Sequence, residues 1–188
     1  ECSFYNCSSN YGASIYLNLM KNCSTIINNS FFTNNRASST DGGSMYIVSE
    51  IKCNIDLVNC SFENNSAVNK GGCIFIKYFN YIMINCKFIN SSLYDRSSTD
   101  YDREGTSIYS TDSCGLIINS SFTSNIAYSN KRNVFGGAAS FQNTNISIKK
   151  SIFNQNSVST SLFAYTQGGA IYLLHSNCSL ENTIFFNN

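Results

Sequence analysis

Two anchor residues alternate along the whole chain, and this alternation limits the folds that the chain can adopt. Successive Phe anchors lie 26 to 34 residues apart, and one Gly anchor stands between each neighbouring pair. The Phe anchors are Phe4, Phe32, Phe62, Phe88, Phe122, Phe153 and Phe185. The Gly anchors are Gly12, Gly42, Gly71, Gly105, Gly136 and Gly168. A period of this length indicates a solenoid, a propeller or another repeat array.

The two halves of the repeat differ in how strictly their length is kept. From each Gly to the next Phe the gap is 17 to 20 residues, whereas from each Phe to the next Gly it varies from 8 to 17. A stacked path of strands and turns requires a constant length, while surface loops tolerate insertions. We therefore predict that the Gly-to-Phe half forms the stacked body and the other half carries loops.

Within each repeat the local signal is that of β-strands. Small residues and then β-branched and aromatic residues follow the Gly, as in GGSMYIV and GGAIYLL, and two further short apolar runs come before the next Gly. Helical spacing is absent, and a propeller blade needs more residues. The chain has no Pro, which suits long backbone ladders. We predict an all-β, right-handed, single-stranded parallel β-helix over residues 1–188, with about six coils and three short strands per coil.

The composition argues against several classes of function. Formal net charge is +1 and only 12% of residues are charged, so nothing in the charge favours nucleic acid as a partner. No apolar run approaches the length that spans a membrane. No motif indicates a cofactor or a metal, so we predict neither.

Stacking in register places equivalent residues above one another, and Asn recurs at two such positions. Asn three residues before the Phe predicts an asparagine ladder at a tight bend, with Asn59 and Asn119 sheltered. Its members are Asn29, Asn59, Asn85, Asn119 and Asn182. Asn also recurs three residues after the Phe, at Asn35, Asn65, Asn125, Asn156 and Asn188.

The nine cysteines give two candidate disulfides between neighbouring coils. Cys60 and Cys86 both stand two residues before a Phe anchor, and Cys23 and Cys53 both stand nine residues before one. An inter-coil spacing of about 4.8 Å is near the short end of the range for a disulfide. Buried free thiols that act as small apolar groups are an equally good interpretation.

An aromatic column is expected on the outer face of the first strand. The residue four positions after the Gly is aromatic in five of six repeats. These residues are Tyr16, Tyr46, Phe75, Tyr109 and Tyr172, and Ser140 holds the sixth position. The column could form a flat platform for sugars or for a neighbouring rod. Alternatively, the rings stack on one another and stiffen the sheet, or the loops cover them.

Several Asn-x-Ser/Thr sequons fall at predicted turns. If the protein passes through a eukaryotic secretory route, these are the better acceptors of N-linked glycan. They are Asn22, Asn64, Asn90, Asn145 and Asn177, and Asn28, beside the asparagine ladder, is a further candidate.

Charged residues concentrate in the longest insertion, and the chain has a single His. Hard oxygen ligands in a loop could hold Ca²⁺, but the spacing is not that of an EF-hand, and interspersed Arg residues favour a solvated loop with internal ion pairs. The cluster comprises Asp95, Arg96, Asp100, Asp102, Arg103 and Glu104. His175 has no evident Ser and Asp partners, so a catalytic triad is not predicted.

The combined motifs resemble those of one family of surface proteins. GGAI at 168–171, GGAA at 136–139 and the recurrent Phe-x-x-Asn are similar to the repeats of chlamydial polymorphic membrane proteins and of protist surface proteins. The chain departs from this pattern at Ala13 and Thr106, which replace the second Gly, and at Cys7 and Ser91, which replace the Asn. The resemblance implies an extracellular or cell-surface rod with adhesive or structural roles.

These observations lead to one preferred functional hypothesis and one alternative. We expect a glycosylated surface rod, acting as a stalk, filament subunit or adhesin, whose partners are neighbouring chains of an assembly or surface glycans. Because neither end carries a polar cap, we expect residues 1–188 to belong to a longer solenoid. The strands carry few carboxylates, so we do not predict an enzyme. The alternative is a carbohydrate-binding or polysaccharide-cleaving module on the same fold.

Overall fold

A computed structural model describes residues 1–94, 101–161 and 164–188 of the chain. Within these ranges the structure contains β-strands and no helix, and every strand pair is parallel. Equivalent strands of successive repeats pair side by side, so the chain forms a parallel β-solenoid of about six turns, as predicted. No helix in these ranges is long and apolar enough to cross a membrane.

In the described part of the chain, four parallel sheets run along the solenoid, and each takes one strand or more from successive coils. The sheet that holds the Phe anchors consists of Cys2–Tyr5, Ser30–Thr33, Ser61–Glu63, Lys87–Ile89, Ser121–Thr123, Ile152–Asn154 and Ile184–Phe186. The largest sheet consists of Ile15–Leu19, Ser24–Asn28, Met45–Val58, Ile74–Ile84, Ile108–Thr111, Cys114–Ile118, Ala139–Gln142, Asn145–Lys149, Ile171–Leu174 and Asn177–Glu181.

Two smaller sheets lie in the half of the coil that varies in length. The first consists of the strands Ser8–Ser9, Arg36–Ala37, Ser66–Ala67, Ser92–Leu93, Ile126–Ser129 and Ser157–Thr160. The second consists of Arg103–Glu104, Val134–Phe135 and Thr166–Gln167. The prediction of three strands per coil therefore missed the short strands between the Phe and Gly anchors. They are only two to four residues long and carry no distinctive β-branched run.

The core is built around a stack of the seven anchor Phe rings. Each ring pairs in register with the next, for example Phe32 with Phe62. Neighbouring ring centroids are 4.5–4.9 Å apart, and the planes are within 10° of parallel. The spacing matches the distance between neighbouring strands, so in-register pairing itself produces the stack. Five of these rings, from Phe32 to Phe153, are fully buried.

Each coil turns at residues in the left-handed backbone conformation. In the bend that follows the variable half, all six Gly anchors have φ between 47° and 71°. The residue after the Gly is also tightly restricted, because a Cβ on Gly43 would lie 1.8 Å from the carbonyl oxygen of Gly72. The Gly-Gly pair thus combines a conformational requirement with a close approach of neighbouring coils.

Candidate functional site

The outer aromatic column forms a continuous stack over the first four coils. Centroid distances are 5.4 Å from Tyr16 to Tyr46, 4.7 Å from Tyr46 to Phe75 and 5.2 Å from Phe75 to Tyr109. Exposure falls along the stack, from 54% at Tyr16 to 8% at Phe75 and 3% at Tyr109. The rings therefore cover one another, and the second half of the stack is shielded from solvent.

This stacking leaves the inner rings of the column without a free face for the flat sugar platform that the sequence suggested. Sugars stack on ring faces, but the faces of Tyr46 and Phe75 are occupied by their neighbours in the column. What these rings can present outward are their edges, which carry partial positive charge. The outcome agrees with the alternative interpretation of a self-stacked column.

The column is interrupted where Ser140 replaces the aromatic residue. Ser140 pairs in register with Tyr109 on one side and Tyr172 on the other. Phe135, which stands just before Gly136, stacks on Tyr172 at a centroid distance of 4.7 Å. An aromatic ring from the neighbouring column thus supplies the partner that Tyr172 would otherwise lack.

That neighbouring column consists of the residues that immediately precede the Gly anchors. It is charged in its middle, with the sequence acid, base, acid in three successive coils. Its members are Tyr11, Asp41, Lys70, Glu104, Phe135 and Gln167. Sequence reasoning missed this column because its residue type changes from coil to coil. The fixed position before the Gly was the signal that could have revealed it.

Lys70 connects the charged column to the aromatic column. Its Nζ lies 2.8 Å from Glu104 Oε1, donates to the Tyr109 hydroxyl at 3.2 Å and lies 4.3 Å from the centroid of that ring. The Tyr109 hydroxyl in turn donates to Gln142 Oε1 at 2.6 Å. Burial opposes the charged form of Lys70, but Glu104 and Tyr109 outweigh it and raise its pKa.

A cleft of about 510 Å³ opens beside these two columns. Tyr46 and Phe75 contribute to its lining, together with Asp41 and Lys70 of the charged column and with Lys77 and Asp112 from the far ends of the first strands. Asp41 Oδ1 accepts the backbone N–H of Lys70 at 3.0 Å. Burial raises the pKa of Asp41 to about 6, although Lys70 opposes this shift. The same cause raises the pKa of Tyr46 to about 12, so its hydroxyl remains a donor at neutral pH.

The predicted asparagine ladder lies on the outer surface of the solenoid. All five of its members have positive φ, between 48° and 55°. Asn59 Nδ2 donates to Asn29 Oδ1 at 3.1 Å, and the chain of amides continues through Asn85 to Asn119. Lys150 occupies the next position and separates Asn182 from the others. The expectation that Asn59 and Asn119 are sheltered is wrong, because the left-handed bend turns their side chains outward.

The second set of recurrent asparagines is the buried one. Asn35, Asn65, Asn125 and Asn156 are fully buried. Asn65 Oδ1 accepts the Asn35 N–H at 2.9 Å, and Asn65 Nδ2 donates to the Phe32 carbonyl at 2.8 Å. These amides therefore satisfy backbone groups inside the bend that follows the Phe strand.

The candidate disulfides are not formed. All nine cysteines, each within the described residues, are free thiols. Cys60 and Cys86 are buried, and their thiols donate to backbone carbonyls two residues earlier, at Val58 and Ile84. Cys53 donates to the Lys21 carbonyl at 3.1 Å, and Cys23 is partly buried. Cys60 and Cys86 also reach carbonyls of the preceding coil, at Ile27 and Leu57, so these thiols are satisfied by the backbone.

All six predicted glycan acceptors are exposed, but two of them contact each other. Asn145 and Asn177 pair in register, and Asn177 Nδ2 donates to Asn145 Oδ1 at 3.0 Å. The exposed acceptors are Asn22, Asn28, Asn64, Asn90, Asn145 and Asn177.

The charged cluster in the long insertion is not the solvated loop that was predicted, as far as it is described. Arg103 is fully buried and donates to Asn69 Oδ1 at 3.0 Å and to the Tyr101 carbonyl at 2.8 Å. Short-strand pairing with Val134–Phe135 brings this segment onto the body of the coil. Asp95, Arg96 and Asp100 lie outside the described residues.

The described ranges contain neither an assembled metal site nor a catalytic arrangement around the single His. No group of three or more His, Cys, Asp or Glu residues there is placed to hold a metal ion. His175 is exposed and has a φ of 51°, at the same bend position as Tyr78 with a φ of 64°. Its place is that of a bend residue.

Comparisons of the chain with protein-family models, with curated proteins and with solved structures found no match.

Proposed function

We propose that the protein is a structural and adhesive rod of the cell surface or extracellular space. The observation that carries this proposal is the continuity of axial columns: stacked Phe rings inside, and stacked aromatic rings and amides outside. Each column links a coil to the next through side chains as well as through backbone hydrogen bonds. Such an array resists extension and proteolysis and displays its variable half to partners.

The resemblance to polymorphic membrane protein repeats supports the same proposal. It rests on the Gly-Gly pair and the Phe-x-x-Asn motif, whose physical roles are a close-packed bend and a buried amide ladder. The exposed sequons agree with display outside the cell, where N-linked glycan would cover part of the outer surface. Partners would be other chains of an assembly or surface glycans.

The test is to label intact source cells with a membrane-impermeant amine reagent and to map glycopeptides of the native protein. We expect labelling of exposed lysines such as Lys52 and Lys87, and glycan on at least one of the six exposed acceptors. Labelling only after cell lysis, together with bare sequons, would overturn the proposed surface location. A cytosolic marker protein that stays unlabelled until lysis serves as the control.

A carbohydrate-binding module is a second candidate, favoured by the cleft beside the aromatic column. Polysaccharide cleavage is the less supported form of this candidate. Asp41 and Asp112 line the cleft, but Asp112 accepts hydrogen bonds from Thr111 and Asn143. Incubation with acidic and neutral polysaccharides tests for cleavage, and we expect no new reducing ends.

A further inference from the structure

The cleft beside the aromatic column has the size and the lining of a small-molecule site. Its volume of about 510 Å³ falls within the usual range for ligand pockets. Aromatic rings and polar side chains both contribute to its surface. The ligand should therefore combine apolar and hydrogen-bonding groups.

Formal charge in the cleft argues for an uncharged ligand. Two carboxylates, Asp41 and Asp112, and the ammonium group of Lys77 line it together with Lys70, whose charge Glu104 balances, so groups of both signs face the ligand. A polyanion would meet the carboxylates, and a polycation would meet the ammonium groups, with a desolvation cost in either case. A ligand rich in hydroxyl groups can instead accept from the lysines and donate to the carboxylates.

The aromatic residues are arranged to complement such hydroxyl groups. Tyr46 presents its hydroxyl group and the positive edge of its ring, which suit the lone pairs of sugar oxygens, whereas Phe75 is almost wholly buried. Tyr11 stands at 69° to Tyr46 with centroids 5.0 Å apart and is 41% exposed, so its ring forms part of the wall. Since the column rings follow the spacing of the coils, the lining repeats along the axis.

We propose that this cleft binds an uncharged oligosaccharide, with Tyr11 and Lys77 as contacts on either side of the aromatic column. The inference rests on the proposed function and names the class of partner that the rod would hold. Asp41 and Asp112 accept hydrogen bonds from sugar hydroxyl groups, and Lys77 donates to them. The partly buried ion pair of Lys70 and Glu104 positions the lining beneath the ligand.

The experiment is isothermal titration calorimetry of the full 188-residue chain with uncharged tetrasaccharides of glucose, mannose, galactose and N-acetylglucosamine. Sulfated and sialylated tetrasaccharides are the charged competitors. We expect at least one uncharged sugar to bind, and the variants Tyr11→Ala and Lys77→Ala to weaken that binding roughly tenfold each. Lys87→Ala, on the Phe sheet and outside the cleft, is the matched control and should bind as the wild type does.

Three results would overturn the proposal. They are the absence of binding by every uncharged sugar, tighter binding of the charged competitors, and binding that Tyr11→Ala and Lys77→Ala leave unchanged. Circular dichroism and thermal unfolding establish that each variant is folded. The surface-labelling test does not depend on this cleft, so a failure of sugar binding leaves the surface rod standing, and unlabelled cells leave the sugar site standing.

Discussion

The bend before each Phe strand and the bend after it use asparagine in opposite ways. Before the strand, Asn59 and its equivalents adopt the left-handed conformation and stack their amides on the outside. After the strand, the left-handed residue is Asn64, and the following Asn65 points inward to bond the backbone. The two recurrences look alike in the sequence, with five members each, but the first is exposed and four members of the second are buried.

The difference shows that burial decides how much a repeated polar residue contributes to the stability of the fold. When an amide on the surface is removed, water can replace it as the hydrogen-bond partner of the neighbouring groups. A buried amide leaves backbone groups without partners, which costs the full desolvation of those groups. The inward position of the first bend is filled by small donors such as Ser30, Cys60 and Cys86, which donate to backbone carbonyls.

The largest effect is expected from removing a buried amide. Asn65→Ala leaves the Asn35 N–H and the Phe32 carbonyl without their hydrogen-bond partner. We therefore expect a loss of about 2–4 kcal/mol in the free energy of unfolding. Urea denaturation followed by circular dichroism measures it. Asn18→Ala, at an exposed strand position, is the control and should change stability by less than about 0.5 kcal/mol. Equal losses in both variants would remove the distinction between buried and exposed amides.

A second test concerns the bend at the Gly anchor, where Asp41 is a partly buried acid. Its pKa is higher in the folded chain, about 6 against 3.8, so the folded state holds its proton more tightly. The contribution of Asp41 to stability is therefore full below pH 3.8 and is lost as pH rises through 6. We expect Asp41→Asn to be about 1–2 kcal/mol more stable than the wild type at pH 7.5.

At pH 3.8 and below, Asp41→Asn and the wild type should be equally stable, since Asp41 is then protonated. Urea denaturation at several pH values measures the difference. Glu104→Gln serves as the comparison, because Glu104 pairs with Lys70 and its loss should destabilise the protein at neutral pH. A pH profile that Asp41→Asn leaves unchanged would contradict the assignment.

A smaller effect is expected in the exposed ladder, and two variants separate its causes. Asn59→Gly keeps the left-handed conformation but removes the amide, whereas Asn59→Ala removes both. We expect losses of about 1–2 kcal/mol for Ala and under 1 kcal/mol for Gly, measured by urea denaturation. If the two variants lose equally, the amide contacts outweigh the backbone conformation, and the contrast with the buried ladder weakens.

The smallest effect is expected from the thiols at the inward position of the first bend. The double variant Cys60→Ser, Cys86→Ser places there the residue that Ser30, Ser120 and Ser151 already provide. We expect a change within about 1 kcal/mol in the unfolding free energy and no effect of reductant on the wild-type midpoint. A reductant-sensitive midpoint would show a disulfide that the structure lacks.

Much of the architecture followed from the sequence because in-register stacking repeats a residue type at one position. The period, the parallel pairing and the Phe stack all express this repetition. The direction of a side chain at a bend does not follow from this repetition. The positions of Asn29 and Asn35 recur equally well, but the first side chain points outward and the second inward. The charged column escaped prediction for a related reason: Asp41, Lys70 and Glu104 share a position but no residue type.

The breaks in the columns also bear on how the solenoid opens. Where Ser91 interrupts the buried amides, Phe75 and Asn85 of the same coil continue the surface columns. Where Ser140 and Lys150 interrupt the surface columns, Asn156 continues the buried one. In a nearest-neighbour array each coil is stabilised by its contacts with the next. Because the breaks fall in different coils, every pair of neighbouring coils keeps at least one continuous column. Amide hydrogen exchange should then report, among the internal coils, the lowest protection in the coil that begins at Gly136.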